Sequence, residues 1–153
     1  MEPILEPHQP SDASELQEVL TRYVDSRDGY RQASELVDEP GLASALKSIS
    51  ERRGEIVGRM ASMISEEGQR PDVDGSTEAG VHRWWIRLRD KISKHKVETV
   101  LSECLRGEKE LIRTLTGILE QGHVHDEHQL IFRQALSEID LAIRAFETAL
   151  GEH

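Results

Sequence analysis

The chain is poor in the features that mark several protein classes. It has a single cysteine, Cys104, so no disulfide framework can hold it, and a reducing compartment is the expected setting. Aromatic residues make up 4% and proline only five positions, which weighs against a β-sandwich with many turns. Basic residues are in the minority. The formal net charge of −10 argues against general nucleic-acid binding, which needs a basic surface to neutralise phosphates. No stretch approaches the roughly 20 apolar residues of a membrane span, so stable membrane insertion is not expected. The opening "MEPILEPHQP" lacks the basic start and apolar run of a signal peptide, and a cytoplasmic protein is the expectation.

What remains is a charged, Leu-, Ile- and Ala-rich chain with helical periodicity. Pro3, Pro7 and Pro10 mark residues 1–11 as a flexible N-terminal tail, and Ser11-Asp12 offers a cap for a first helix. Leu16, Val19, Leu20, Tyr23, Tyr30 and Val37 recur at the spacing of one helix face. "DEPG" at 38–41 breaks the chain, because proline cannot continue a helix. A second helix is predicted over about 41–68, on Leu42, Leu46, Ile49, Ile56 and Met60. After the loop "GQRPDVDGST", the segment "EAGVHRWWIRLRDKIS" reads as a short amphipathic helix. Two more long helices follow over about 96–120 and 126–150, the last closed by Gly151.

None of these stripes can be buried by its own helix, so the four long helices should pack together as one domain over 12–151. The first and last pairs are joined by short turns, whereas helices two and three are separated by a connection long enough to run the length of the molecule. That asymmetry predicts an all-α, ferritin-like four-helix bundle, with a long crossover carrying the short extra helix.

Three charged residues interrupt the apolar stripes near mid-helix. Arg27 stands among Leu20, Tyr23 and Tyr30; Arg53 among Ile49, Ile56 and Met60; Glu108 among Leu101, Cys104 and Leu111. Glu138 is at matching height on the flank of the last stripe. Equal heights predict one buried polar layer of Arg27, Arg53, Glu108 and Glu138. Ferritin-like di-metal proteins keep a ligand set of Glu and Glu-x-x-His in this layer. Here "ERRG" and "EIDL" lack the His, and two guanidinium groups would repel a cation while occupying the carboxylates. The reading without cofactor is therefore an ion-pair network. The alternative is an iron or manganese site built from Glu51, Glu55, Glu103 and Glu108.

Two surface segments carry further chemistry. "GHVHDEH" gathers His123, His125, Asp126 and His128 near a turn, a composition that can bind metal or simply be solvated. "VHRWWIRLRDKISKHK" is basic within an acidic chain. Its Trp84, Trp85, Arg83 and Arg87 either form a partner surface or cover the bundle. Cys104 reads as a small buried hydrophobe.

"GYRQASELVDEPGL", "ERRGEI", "HRWWIRLRDKIS" and "ECLRGEKELIRTL" occur in this order. Together they resemble a family of bacterial ferritin-like four-helix-bundle proteins catalogued as a domain of unknown function, over about residues 14–150. The resemblance implies a bacterial cytoplasmic bundle with no established reaction. Its patterned polar positions fall on Glu51, Arg52, Arg53, Glu55, Glu103, Arg106 and Glu108. The chain departs from that pattern where Leu115 replaces a frequent Tyr, and where Ala142-Ile143 stand in place of a His. The functional expectation is a non-enzymatic bundle, with stress-related roles among the candidates. It would act as a homo-oligomer, a dimer being the simplest, or through a protein partner.

Overall fold

The computed structural model describes residues 10–75, 79–94, 96–121 and 124–151, with side chains described for all of these except 10–13 and 79–83. The predicted N-terminal tail lies, through residue 9, outside the described residues. The described chain is all-helical: α1 (Pro10–Leu36), α2 (Pro40–Glu66), α3 (Ala79–Ser93), α4 (Val97–Glu120) and α5 (Asp126–Leu150). Helix α1 starts at Pro10, ahead of the expected Ser11-Asp12 cap. A proline is accepted in a first turn, where its missing N–H would have no partner anyway.

Local chemistry sets the other boundaries. Glu39 caps α2 by accepting a hydrogen bond from the Leu42 amide at 2.6 Å, and Pro40 opens its first turn. Gly151 ends α5 in the left-handed region at φ 79°, a conformation glycine adopts without a Cβ clash. The 27 residues of α1 and of α2 make rods about 40 Å long, against about 22 Å for the 15 residues of α3.

Helix α1 packs chiefly on α2 and α4 on α5, while α3 lies against both α4 and α1. Glu67, just past α2, touches His128 in the first turn of α5, so the end of α2 sits beside the start of α5. Val37 and Leu42, at the α1–α2 turn, line one cavity with Ile92, Val97 and Val100, at the α3–α4 turn. The chain therefore returns along the molecule through α3, and α2 and α4 run in the same direction. All five helices contribute to one apolar core, including Leu20, Leu46, Leu88, Leu115 and Phe132, each 0–1% exposed.

Candidate functional site

Arg53 is the largest side chain buried without any exposure, and it reaches the centre of the core from α2. A guanidinium buried there needs acceptors for its N–H groups and a compensating charge. Its Nη1 and Nη2 both donate to the Glu108 carboxylate of α4, Nη1 at 3.2 Å from Oε2. Nε donates to Glu138 Oε1 of α5 at 2.6 Å, and Nη1 also donates to Ser26 Oγ of α1 at 2.6 Å. One side chain thus ties α2 to all three other long helices.

Two tyrosines of α1 complete the enclosure. The Tyr30 hydroxyl donates to Glu108 Oε2 at 2.6 Å. The Tyr23 hydroxyl lies 3.1 Å from the Ala135 carbonyl and 3.4 Å from Glu138 Oε1, so its proton is shared. The Arg53 guanidinium carbon is 5.3 Å from the Tyr23 ring centre and 5.7 Å from that of Tyr30, within reach of both ring quadrupoles.

The electrostatics follow from this enclosure. Burial opposes the charge on Arg53, but Glu108 and Glu138 outweigh it and hold the guanidinium protonated. Burial raises the Glu138 carboxyl above its ordinary value, and Arg53 pulls against that rise. Glu138 Oε2 accepts no hydrogen bond among the described residues, and the Arg52 Nε stands 4.0 Å from it. Burial likewise raises the Tyr23 and Tyr30 hydroxyls and the Cys104 thiol, so these groups stay neutral.

Of the four residues expected in the layer, Arg53, Glu108 and Glu138 meet and Arg27 does not. Arg27 is half-buried, bonds Asp28 at 3.0 Å, and lays its stem over Gly54. Its neighbour Ser26 faces inward instead. The tyrosine hydroxyls and Ser26 join the layer beyond what the stripe pattern predicts. The available signal was that a buried Tyr O–H requires a partner.

The alternative metal set is not assembled. Glu51 and Glu55 are exposed on α2, because two residues either side of inward-facing Arg53 is 200° around the helix. Glu108 is engaged by Arg53 and Tyr30. Glu103 accepts onto Oε2 from Arg106, at 2.5 and 3.1 Å, and from Arg87 at 3.2 Å. Those bonds to Arg106 raise its guanidinium pKa. Among the described residues, the donor atoms close enough for one ion belong to Glu67, Glu127 and His128. His125 lies one turn ahead of that group, and His123 lies outside the described residues.

Trp84, expected either on a partner surface or over the bundle, is partly buried and packs its ring into the molecule. Its indole wedges between α1 and α4: a Cβ on Gly29 would come within 2.7 Å of the ring, and one on Gly107 within 2.5 Å of Nε1. The indole N–H donates to the Glu103 carbonyl at 3.4 Å, and the ring meets Tyr30 edge-on at 5.7 Å. Gly107, a residue that weakens a helix interior, is the seat of that indole. Trp85 is half-buried against the core, Arg87 is paired with Glu103, and the Arg83 side chain lies outside those described.

No described helix is long and apolar enough to cross a membrane. No curated protein and no solved structure matches the chain. A family match covers α1 to α4 from residue 12 and ends at 121, ahead of α5 and Glu138. By that match the chain belongs to the family described as Domain of unknown function (DUF2383).

Proposed function

We propose that this chain is a ferritin-like four-helix bundle, with α3 carried in the crossover, that works without catalysis and through self-association. The observation that carries the reading is Arg53. It fills the level where a ferritin-like protein would hold metal, and it engages two of the carboxylates found there. What supports the topology is the common direction of α2 and α4, with α3 between them. Iron or manganese held by Glu51, Glu55, Glu103 and Glu108 is the rival reading, and two of those side chains face outward.

Self-association is supported by the outer face of α5. Leu130 and Leu141 are 65% and 64% exposed and fall on one side of the helix, with Gln134, Ser137 and Ala145 beside them. Arg133 and Arg144, the latter paired with Asp140 at 3.0 Å, run along one side of this neutral strip, in a chain whose net charge is −10. A second copy of an acidic chain meets least repulsion along such a strip.

Sedimentation and metal analysis of untagged protein test both parts. Leu141→Glu is expected to shift an oligomer toward monomer, and Glu108→Ala to lower thermal stability without changing iron or manganese content. A native chain that stays monomeric at high concentration would end the self-association reading. Stoichiometric iron or manganese that disappears with Glu108→Ala would establish the rival.

A further inference from the structure

Side chains from two helix ends converge where α2 stops and α5 begins. Glu67, which follows the last residue of α2, places Oε2 at 2.5 Å from Nε2 of His128. His128 is only 2% exposed, whereas its neighbour Glu127 is exposed. One donor atom from each of Glu67, Glu127 and His128 lies within 4.8 Å of the others. The His125 ring stands 6.2 Å from that of His128, centre to centre.

A simple ion pair between Glu67 and His128 uses one carboxylate. Here two carboxylates face one imidazole, and the pair comes from segments far apart in the chain. Two carboxylates and a neutral imidazole balance a divalent cation, and mixed oxygen and nitrogen donors suit zinc and its first-row neighbours. Ligands at about 2.0–2.2 Å from zinc stand about 3.3–3.6 Å apart in a tetrahedron, so the Glu67 carboxylate draws back from His128 by about 1 Å to admit the ion. The movable partners are the two carboxylates: Glu67 is a helix-end residue with a side chain 25% exposed, and Glu127 is on the surface. His128 is fixed by its packing.

We propose that Glu67, Glu127 and His128 bind one divalent transition-metal ion, which clasps the end of α2 to the start of α5. Three protein ligands leave the remaining positions to water, and the clasp replaces the shared proton between Glu67 and His128. This site is separate from the Arg53 layer, and the two readings stand or fall independently.

The test is a zinc titration of the untagged full chain after chelator treatment, followed by calorimetry and thermal melts. One zinc per chain is expected, with a melting temperature that rises with zinc, since a ligand of the folded state stabilises it. Changes even around metal ligands cost about 10–100-fold in affinity. Glu67→Gln and Glu127→Gln should therefore each weaken zinc by at least about ten-fold. Glu127→Gln is a surface change, so its fold is not at stake. Absence of one-to-one binding overturns the clasp. So does zinc affinity left unchanged by either glutamine variant, which would assign the ion to the imidazoles of the turn alone.

Discussion

Helix α4 carries two glutamates that meet arginines in opposite ways. Glu108 receives both terminal nitrogens of Arg53 inside the core, where neither partner exceeds 3% exposure. Glu103 is itself only 7% exposed, but it receives Arg87 and Arg106, whose side chains are 42% and 43% exposed, so the solvent enters from the arginine side. The chemistry is the same and the solvent is not. In the dry cluster each charge depends on its partner, because an unpaired ion there has no water to turn to. In the wet one, water can take the place of either arginine. Trp84 is the wall between them. Its N–H meets the Glu103 carbonyl, its ring rests over Gly107, and its edge meets the Tyr30 ring whose hydroxyl serves Glu108.

The largest expected effect comes from removing the shared partner of the dry cluster. Arg53→Met leaves the Glu108 and Glu138 carboxylates facing each other in the core. It should cost about 3–5 kcal/mol in urea unfolding, the range for a stranded buried charge. Replacing the whole cluster by apolar residues, with Glu108→Leu and Glu138→Leu added, should recover part of that loss, because no charge is then left unpaired, while the buried Tyr30 hydroxyl loses its acceptor. A single change costing less than about 1 kcal/mol would show that water reaches the cluster, and the contrast with Glu103 would vanish.

The contrast also explains what could be read ahead of the structure. Helical stripes are local and repeat, so α2, α4 and α5 were legible to within two residues from apolar spacing, the DEPG break and the closing Gly151. Arg53 and Glu108 were legible because each interrupts an apolar stripe, and burial of a lone charge demands a counter-charge. Arg27 interrupts a stripe too. It fails because a half-buried flank and a buried face differ by less than one residue step around the helix, and Ser26 took the inward place. The Trp84 wedge needs Gly29, Gly107 and the indole from three helices at once, a juxtaposition that no local pattern encodes. The same holds for Glu67 and His128, which only the return path of the chain brings together.

A smaller effect is read by pH at Glu138. Burial raises Glu138 above 4.5 in the folded protein. A raised carboxyl pKa makes the folded state the better proton acceptor. The stability this group contributes is full below 4.5 and is lost as pH rises through its folded value. Glu138→Gln removes that proton while keeping an acceptor oxygen for Arg53 and Tyr23. The stability of the native chain relative to Glu138→Gln should therefore fall as pH is raised from about 4.5, when urea midpoints are followed across the range. A difference that is flat or rising would mean that Arg53 outweighs burial at Glu138.

Arg106→Ala should have the smallest effect, and it probes the wet side directly. The change deletes a contact of 2.5 Å to Glu103 Oε2, which by distance alone rivals those made by Arg53. Yet the Arg106 side chain is 43% exposed and Arg87 remains 3.2 Å from the same oxygen. Exposed pairs of this kind are worth about 0.2–1 kcal/mol, and salt reduces them further. Unfolding in urea at low and high salt should thus show a loss below about 1 kcal/mol that shrinks as salt is added. A loss as large as that of Arg53→Met, and indifferent to salt, would place Glu103 in a dry site. Trp84 would then enclose both carboxylates instead of dividing them.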